Sequence, residues 1–200
     1  TIDSRKVEKN DIFFAFSGEN FNAAVSAEDA IKKGALAVIV EDKNFENQER
    51  NIFFVHSTLA FLQELASYHR NHIKIPVIAL TGSNGKTTTK EIIHAVLSQK
   101  YKVQYTFGNL NNHIGVPLTL LSIKPEHELA VVEMGANHQK EIELLCKIAQ
   151  PNYGYITNFG KAHLEGFGGF EGVIKGKSEL YDYLKTSGQA ILVNENDPIQ

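Results

Sequence analysis

The sequence predicts an α/β protein, with a small N-terminal α/β domain at residues 1–74 followed by a central domain at residues 75–200 built on a mostly parallel sheet. Short runs of β-branched and aromatic residues alternate along the chain with segments of helical periodicity. Hydrophobic residues make up 42% and charged residues 22% of the chain, the balance of a folded globular protein. Because parallel strands are joined by crossover helices, this alternation predicts a sheet covered on both faces.

The N-terminal domain is predicted to hold three strands and two helices. The strands are DIFFAF (11–16), ALAVIV (35–40) and NIFFVH (51–56). The first helix, SAEDAIKKG, takes Ser26 as its N-cap and ends at Gly34. The second, STLAFLQELASYHRN (57–71), starts at a serine cap and carries apolar residues at helical spacing. The stretch HRNHIKIP (69–76) is predicted to be a linker to the central domain.

The central domain is predicted to continue the alternation. Its strands are PVIAL (76–80), LAVVEM (129–134), YGYITNF (153–159) and QAILV (189–193). Its helices are TTTKEIIHAVLSQK (87–100), KEIELLCKIAQP (140–151) and GKSELYDYLKTSG (176–188). Since the chain opens on TIDSR without a methionine and ends on NENDPIQ directly after a strand-like run, we expect a fragment whose central sheet is incomplete.

Charge and cysteine content narrow the kinds of partner and compartment to expect. Lys and Arg total 20 against 23 Asp and Glu, a net charge of −3, which gives no electrostatic reason to expect nucleic acid. No run of about 18 apolar residues and no basic-then-apolar leader is present, so no membrane partner is expected. Cys146 is the only cysteine, so no intrachain disulfide can form, and a reducing cytoplasm is the expected location.

The stretch LTGSNGKTTTKE (80–91) resembles a P-loop, although one glycine is displaced. The usual spacing, G-x-x-x-x-G-K-[ST], would put the first glycine at Leu80, whereas Gly82 stands only three residues before Gly85. A strand, a glycine turn and a helix start form an anion site of backbone N–H groups. The residues predicted to bind the phosphates of a nucleotide are Gly82, Ser83, Asn84, Gly85, Lys86, Thr87 and Thr88. The alternative is an ordinary turn with a solvated lysine.

Two further predictions follow from this loop. The Lys86 side chain would add positive charge for the β- and γ-phosphates, and the Thr87 hydroxyl would be a Mg²⁺ ligand. A carboxylate at the tip of a neighbouring strand should complete the Mg²⁺ site, and Glu133, at the end of LAVVE, is the candidate. The alternative for Glu133 is a strand-end glutamate that faces solvent.

Together, several blocks of the sequence resemble the Mur ligase family. They are TGSNGKTTT (81–89), GNLNNHIGVPLTLL (108–121), VVEMGAN (131–137), ITNFGKAHLEGFGG (156–169), KSELYDYL (177–184) and DSRKVEKNDIFFAFSGE (3–19). The loop alone points only to the wider superfamily, which includes folylpolyglutamate synthase. The Asn-rich block, the EMGAN strand end and the DSRKV opening are most similar to the member that joins D-alanyl-D-alanine to UDP-N-acetylmuramoyl-tripeptide.

The resemblance implies an ATP- and Mg²⁺-dependent amide ligase of peptidoglycan precursor synthesis that works through an acyl phosphate. It implies three domains, of which the N-terminal one binds the UDP-linked substrate, the central one binds ATP and the C-terminal one is absent here. The full-length enzyme is expected to be a monomer. The 200 residues alone are expected to fold but not to ligate, because closure of a further domain would be needed to exclude water from the acyl phosphate.

The resemblance also assigns roles to single residues, and each has a plain alternative. Ser4 and Arg5 match a segment that binds the UDP substrate, although Arg5 could simply pair with Asp3 at the surface. His163 matches a catalytic ligand of a second Mg²⁺, the alternative being a loop histidine bonded to backbone. Lys177 matches a catalytic lysine that carries a carbamate, the alternative being a solvated helix lysine.

Asn111 and Asn112 either contact substrate or shape their own loop, and the sequence does not decide between these roles. Other classes of function also remain open. These are another Mur ligase or a folylpolyglutamate synthase-like ligase, a P-loop kinase or GTPase, and a non-catalytic nucleotide-binding module.

Overall fold

The computed structural model describes all 200 residues, which form two compact units, Thr1–Glu64 and Leu65–Gln200. The division falls within one helix, Thr58–His72, ahead of the predicted domain boundary at 74/75. The assignment of the two domains to the UDP-linked substrate and to ATP stays a prediction. None of the helices is both long and apolar enough to cross a membrane.

The N-terminal unit is built on a three-stranded parallel sheet in the order β1-β4-β5. The strands are β1 (Ile12–Ala15), β4 (Ala37–Val40) and β5 (Ile52–Phe54), which confirms the three predicted runs. A short antiparallel hairpin, β2 (Ser17–Gly18) and β3 (Phe21–Asn22), follows β1 and was not predicted. The helices are α1 (Ala27–Lys32) and the start of α2 (Thr58–His72).

The two predicted helix caps of this unit differ in outcome. Ser57 caps α2 as predicted, because its Oγ accepts the Ala60 N–H at 3.1 Å. Ser26 occupies the N-cap position of α1 as predicted, but its side chain makes no capping bond. A turn of 3-10 helix (Ala23–Ser26) runs directly into α1, and the Asn22 side chain caps this turn through the Ala24 N–H.

The C-terminal unit is a five-stranded sheet in the order β10-β9-β6-β8-β7, and every pair of neighbouring strands is parallel, as predicted. The strands are β6 (Val77–Thr81), β7 (Val103–Tyr105), β8 (Leu129–Glu133), β9 (Tyr153–Ile156) and β10 (Ala190–Leu192). The helices are α3 (Lys86–Leu97), α4 (Gly115–Leu121), α5 (Glu141–Ala149), α6 (Leu164–Phe167) and α7 (Phe170–Thr186).

Three of these elements were not predicted, and one was predicted too short. Strand β7 has only three residues, α6 has only four, and α4 carries Pro117 in its first turn, where a proline fits because no intrahelical N–H is needed there. Helix α7 begins at Phe170 rather than at Gly176, so the helix includes six residues ahead of the predicted start.

Strands β6 and β8 lie at the centre of the sheet and are covered on both faces. All five residues of β8 are buried, the pattern of a parallel strand between two helical layers. The register pairs Leu80 with Glu133, so the two strands end side by side. The loop after β6 and the carboxyl group at the end of β8 therefore meet at one edge of the sheet, where ligands bind in open parallel sheets.

Arg70 corrects the prediction of a linker at 69–76. Helix α2 continues to His72, and the guanidinium of Arg70 is buried among oxygen acceptors of the C-terminal unit. Its Nε donates to the Ala149 carbonyl at 2.8 Å, and its Nη2 donates to the Gln150 carbonyl at 2.9 Å. Further bonds reach the carbonyls of Ile73 and Ile75 and the Asn152 side chain. This residue joins the end of α2 to the turn between α5 and β9.

We predict that Arg70→Met lowers the free energy of unfolding by about 3–5 kcal/mol, since it leaves one buried and three partly buried carbonyl groups without this donor. Urea unfolding followed by circular dichroism measures the change. Lys147→Met is the control, because Lys147 is exposed and its ion pair with Glu143 should contribute less than about 1 kcal/mol. If the two variants lost equal stability, the bonds of Arg70 to the turn between α5 and β9 would not stabilise the fold as proposed.

Candidate functional site

The glycine loop between β6 and α3 packs tightly against the end of β9. Gly82 has φ +141°, and a Cβ atom built there would lie 2.0 Å from Thr157 Oγ1. Gly85 has φ +76° and forms the N-cap of α3, with no neighbouring atom within 4 Å of a built Cβ. A glycine is therefore required at position 82 by its positive φ and by the close contact with Thr157. At position 85 a glycine is favoured by its positive φ alone.

The segment after β9 holds the loop in place. Ser83 N–H donates to the Asn158 carbonyl at 3.1 Å, and Asn84 N–H donates to Asn158 Oδ1 at 3.1 Å. The Thr157 hydroxyl donates to the Asn84 carbonyl at 2.6 Å. The Ser83 hydroxyl donates to the Gly160 carbonyl at 2.9 Å. The loop is thus fixed in shape before any ligand binds. Sequence reasoning did not identify Thr157 and Asn158 as its supports, because their separation along the chain hides the contact.

The start of α3 presents free backbone donors. Thr89 is the first residue whose N–H bonds back within the helix, to the Gly85 carbonyl at 2.9 Å, and no side chain caps the earlier N–H groups. These groups belong to Lys86, Thr87 and Thr88. Together with the positive end of the helix dipole, they form a site for an anion such as phosphate.

Lys86 is part of this loop rather than a solvated lysine. Its Nζ donates to the Gly82 carbonyl at 2.9 Å and to the Ser83 carbonyl at 3.3 Å, and the side chain is half-buried. Burial lowers the pKa of Lys86, and the nearby Glu133 carboxyl group opposes this shift. The ammonium lies at the start of α3, where its charge adds to that of the helix dipole.

Glu133 is buried, with only 1% of its surface exposed, so it does not face solvent. Its Oε1 accepts a bond from Asn111 Nδ2 at 2.8 Å and lies 3.4 Å from the Thr87 hydroxyl. Its Oε2 is buried and has no hydrogen-bond partner. A buried carboxyl oxygen without a partner is costly, and a cation would satisfy it. Carboxylate and hydroxyl oxygens are ligands that Mg²⁺ accepts, so Glu133 and Thr87 fit this ion.

The two asparagines of the loop before α4 have separate roles. Asn112 Oδ1 accepts the N–H groups of Ile114 and Gly115 at 3.1 and 2.9 Å, so it shapes the start of α4. Asn111 donates to Glu133 through its side chain, and its carbonyl accepts the Gly135 N–H at 2.7 Å. Asn111 thus orients the carboxyl group of Glu133, while contact of either residue with a substrate stays a prediction.

Lys177 is also not a solvated helix lysine. It lies in the middle of α7 with 2% of its surface exposed, and its Nζ donates to the Ala136 carbonyl at 3.1 Å. The ammonium lies 5.1 Å from the centre of the Phe167 ring. Burial, and secondarily the charge of Lys86, lower the pKa of Lys177 to about 8. A neutral amine is therefore accessible near neutral pH, as a carbamate requires.

The remaining predicted site residues lie outside this network. His163, at the N-cap position of α6, is exposed with φ +55° and makes no bond to Glu133 or Thr87. No three His, Cys, Asp or Glu side chains gather into a metal-binding cluster.

Arg5 and Ser4, predicted to bind the UDP substrate, make local contacts. Arg5 pairs with Asp3 through two bonds of 2.9 Å, and its side chain is 86% exposed. The Ser4 carbonyl accepts from Lys33 Nζ at 2.7 Å. The ligand roles of His163, Ser4 and Arg5 stay predictions.

Sequence families account for both parts of the chain. Residues 80–200 match the family described as the Mur ligase middle domain. Residues 1–80 match the family described as the Mur ligase family, catalytic domain.

The chain belongs to the Mur ligase family.

Several curated relatives of this Mur ligase chain carry the name UDP-N-acetylmuramoyl-tripeptide--D-alanyl-D-alanine ligase. The protein of that name from Haemophilus influenzae is 43% identical over 98% of this chain and 43% of its own length. The one from Bacillus subtilis is 40% identical over 99% of this chain and 44% of its own length. The chain therefore spans less than half the length of these relatives.

Solved structures agree with this assignment. MurF from Acinetobacter baumannii superposes with a TM-score of 0.81 at 43% identity, over 92% of this chain and 40% of that one. MurF ligase from Thermotoga maritima, solved in complex with ADP, gives a TM-score of 0.79 at 37% identity, over 92% of this chain and 42% of that one. The α/β fold expected from the resemblance is thereby confirmed.

We predict that Lys177 makes stability depend on pH. Because its folded-state pKa of about 8 lies below the ordinary 10.5, the unfolded chain binds more protons between these values, and the free energy of unfolding rises with pH there. Relative to Lys177→Met, the chain should gain about 2 kcal/mol between about pH 7.5 and 9.5.

Urea unfolding in buffers purged of CO₂ measures this difference, and Lys175→Met, which alters an exposed lysine of the same helix, is the control. A difference between the chain and Lys177→Met that stays constant with pH would contradict the burial argument.

Proposed function

We propose that this chain forms the UDP-substrate and ATP-binding parts of a ligase that joins D-alanyl-D-alanine to UDP-N-acetylmuramoyl-tripeptide. One observation carries the proposal. The buried Glu133 carboxyl group, with one oxygen unpartnered, lies beside the Thr87 hydroxyl at the start of a helix that follows a glycine loop. The names of the relatives supply the substrates, and the ADP complex of a similar structure supports the nucleotide.

The loop residues 82–88 would bind the phosphates of ATP. The N–H groups of Lys86, Thr87 and Thr88 point away from the start of α3, and the Lys86 ammonium is held at the same place by the Gly82 carbonyl. Bound ATP would supply the phosphoryl group that activates the terminal carboxyl group of the tripeptide as an acyl phosphate. The dipeptide amine would then attack the acyl carbon, forming the amide and releasing phosphate. Lys86 would offset the negative charge that these groups share.

Thr87 and Glu133 would hold the Mg²⁺ ion. When bound, the ion supplies positive charge that weakens repulsion between the phosphates and the attacking carboxylate. Asn111 keeps the Glu133 carboxyl group aimed at this point through its 2.8 Å bond to Oε1. We assign His163 to a second Mg²⁺ site on the strength of the family resemblance.

Lys177 would carry the carbamate. Its ammonium would lose one proton to give the neutral amine, and the amine would add to CO₂ with release of a second proton, so that a cation is replaced by an anion inside the unit. The charge of Lys86 acts on Lys177, so the neutral and anionic forms of Lys177 are both favoured over the ammonium there. A carbamate near Lys86 would also strengthen the site for metal ions.

The N-terminal unit would bind the UDP portion of the tripeptide substrate. Ser4 lines a shallow cavity with Ser26, Asp29, Lys32 and Lys33. Lys32 pairs with Asp29 at 3.0 Å, so the Lys33 ammonium gives the cavity its net positive charge for a diphosphate. Arg5, although paired with Asp3, keeps most of its guanidinium exposed for a further acceptor. We expect the ligase to act as a cytoplasmic monomer, and the free thiol of Cys146 fits a reducing compartment.

We predict that Lys86→Ala lowers phosphate release by at least about 100-fold while the fold is retained, because a charge that acts on the transferred phosphoryl group is lost. The assay uses the full-length protein that carries this chain, with ATP, Mg²⁺, UDP-N-acetylmuramoyl-tripeptide and D-alanyl-D-alanine. Lys100→Ala, which alters an exposed lysine beyond the other end of α3, is the control.

Near-normal phosphate release by folded Lys86→Ala at saturating ATP would refute the assignment of the loop. Replacing the dipeptide with single amino acids tests the substrate separately. Release that is faster with a single amino acid would assign the chain to another ligase of the family.

A further inference from the structure

Lys90, on α3, is buried without any exposed surface. Lysines are almost never fully buried unless their ammonium group is paired. Its Nζ donates to the Thr106 carbonyl at 2.7 Å and to the Gly108 carbonyl at 3.1 Å, and it lies 2.9 Å from Glu91 Oε1. The Tyr105 ring centre lies 5.4 Å away. All three ammonium protons are thus used, and the group is directed at the loop after β7, not at the glycine loop.

The segment that Lys90 binds is the one that positions Glu133. It runs from Thr106 to Asn112 and joins β7 to α4. At its start, Thr106 Oγ1 accepts the backbone N–H of Glu133 at 2.9 Å. Near its end, Asn111 Nδ2 donates to Glu133 Oε1 at 2.8 Å. We call residues 106–112 the carboxylate loop.

Lys90 also lies on the same helix as Thr87, close to one turn further along. One rigid helix therefore carries both the hydroxyl next to the carboxyl group of Glu133 and the ammonium that fixes the loop behind that carboxyl group. Without Lys90, the buried Thr106 carbonyl would lose its donor, and the carboxylate loop would lose its bonds to α3.

We propose that Lys90 is a positioning residue for metal binding, which acts through Thr106 and the carboxylate loop to hold Glu133 in register with Thr87. This inference rests on the proposed Mg²⁺ site at Glu133 and Thr87. Residues that hold a metal ligand from behind typically affect metal affinity by about 10- to 100-fold. The phosphate-binding N–H groups at the start of α3 do not depend on the carboxylate loop, so nucleotide binding without metal should be unaffected.

Calorimetric titration of ADP into the 200-residue chain tests the proposal, once with Mg²⁺ and once with EDTA. The measured quantity is the factor by which Mg²⁺ tightens ADP binding. Lys90→Met, which keeps an unbranched side chain one atom shorter and without donors, should reduce this factor by about 10-fold or more and leave the affinity in EDTA unchanged. Thr106→Val, which removes only the hydroxyl acceptor, should do the same. Thr106→Ser, which keeps the hydroxyl, should retain the factor.

The outcomes separate the inference from the proposed function. If Lys90→Met or Thr106→Val keeps the full Mg²⁺ effect, even with lower stability, Lys90 has only a structural role and the inference is wrong. If Lys90→Met does not fold, the pair Thr106→Val and Thr106→Ser decides the matter on the same criterion. If the unaltered chain binds ADP without any Mg²⁺ effect, the metal site itself is wrong and both proposals fail.

Discussion

The carboxyl group of Glu133 is the feature on which the rest of the C-terminal unit depends. It ends the most deeply buried strand of the sheet, and one of its oxygens has no hydrogen-bond partner. An uncompensated buried carboxyl group costs several kcal/mol, and folded proteins keep such groups mainly where function requires them. The cost is acceptable here because the Thr87 hydroxyl and the free N–H groups of α3 surround the same point, so that a cation and its phosphate partners could satisfy it.

Two separate supports bring this group and the glycine loop together. The segment after β9 fixes the loop through Thr157 and Asn158, and the close contact at Gly82 leaves no space for a side chain. The carboxylate loop fixes Glu133 from the other side of β6. Both supports follow strands of one parallel sheet, which brings the carboxyl ends of all its strands to one edge. A site held from both sides is preorganised, so less ordering is needed when a ligand binds.

The features that depend on local sequence pattern could be predicted from the sequence. Alternation of apolar runs and helical segments predicts the parallel sheet, and strand, loop and helix together predict the site at Lys86 and Thr87. Glu133 was found because it ends a strand, although the sequence could not distinguish a buried carboxyl group from an exposed one.

Contacts between distant residues could not be predicted. Arg70 was taken for part of a linker because its acceptors lie 79 and 80 residues away along the chain. Lys90 was not singled out from the sequence, since its burial depends on the carbonyls of a loop that begins 16 residues away. Ser26 is at the predicted N-cap position, but a turn of 3-10 helix runs directly into α1 there and the Ser26 side chain makes no capping bond. At Arg70 and Lys90, tertiary contacts decide the environment of the side chain, which local propensity does not report.

The most direct test of this account is urea unfolding of the chain and of Glu133→Gln in the presence of ADP, with and without Mg²⁺. If Glu133 is kept at a cost to stability in order to bind a cation, Glu133→Gln should be at least as stable as the original chain in EDTA. It should also lose the stabilisation that Mg²⁺ gives to the original chain. A variant that is less stable in EDTA and keeps the full Mg²⁺ stabilisation would contradict the account, since Glu133 would then be a structural residue and not a metal ligand.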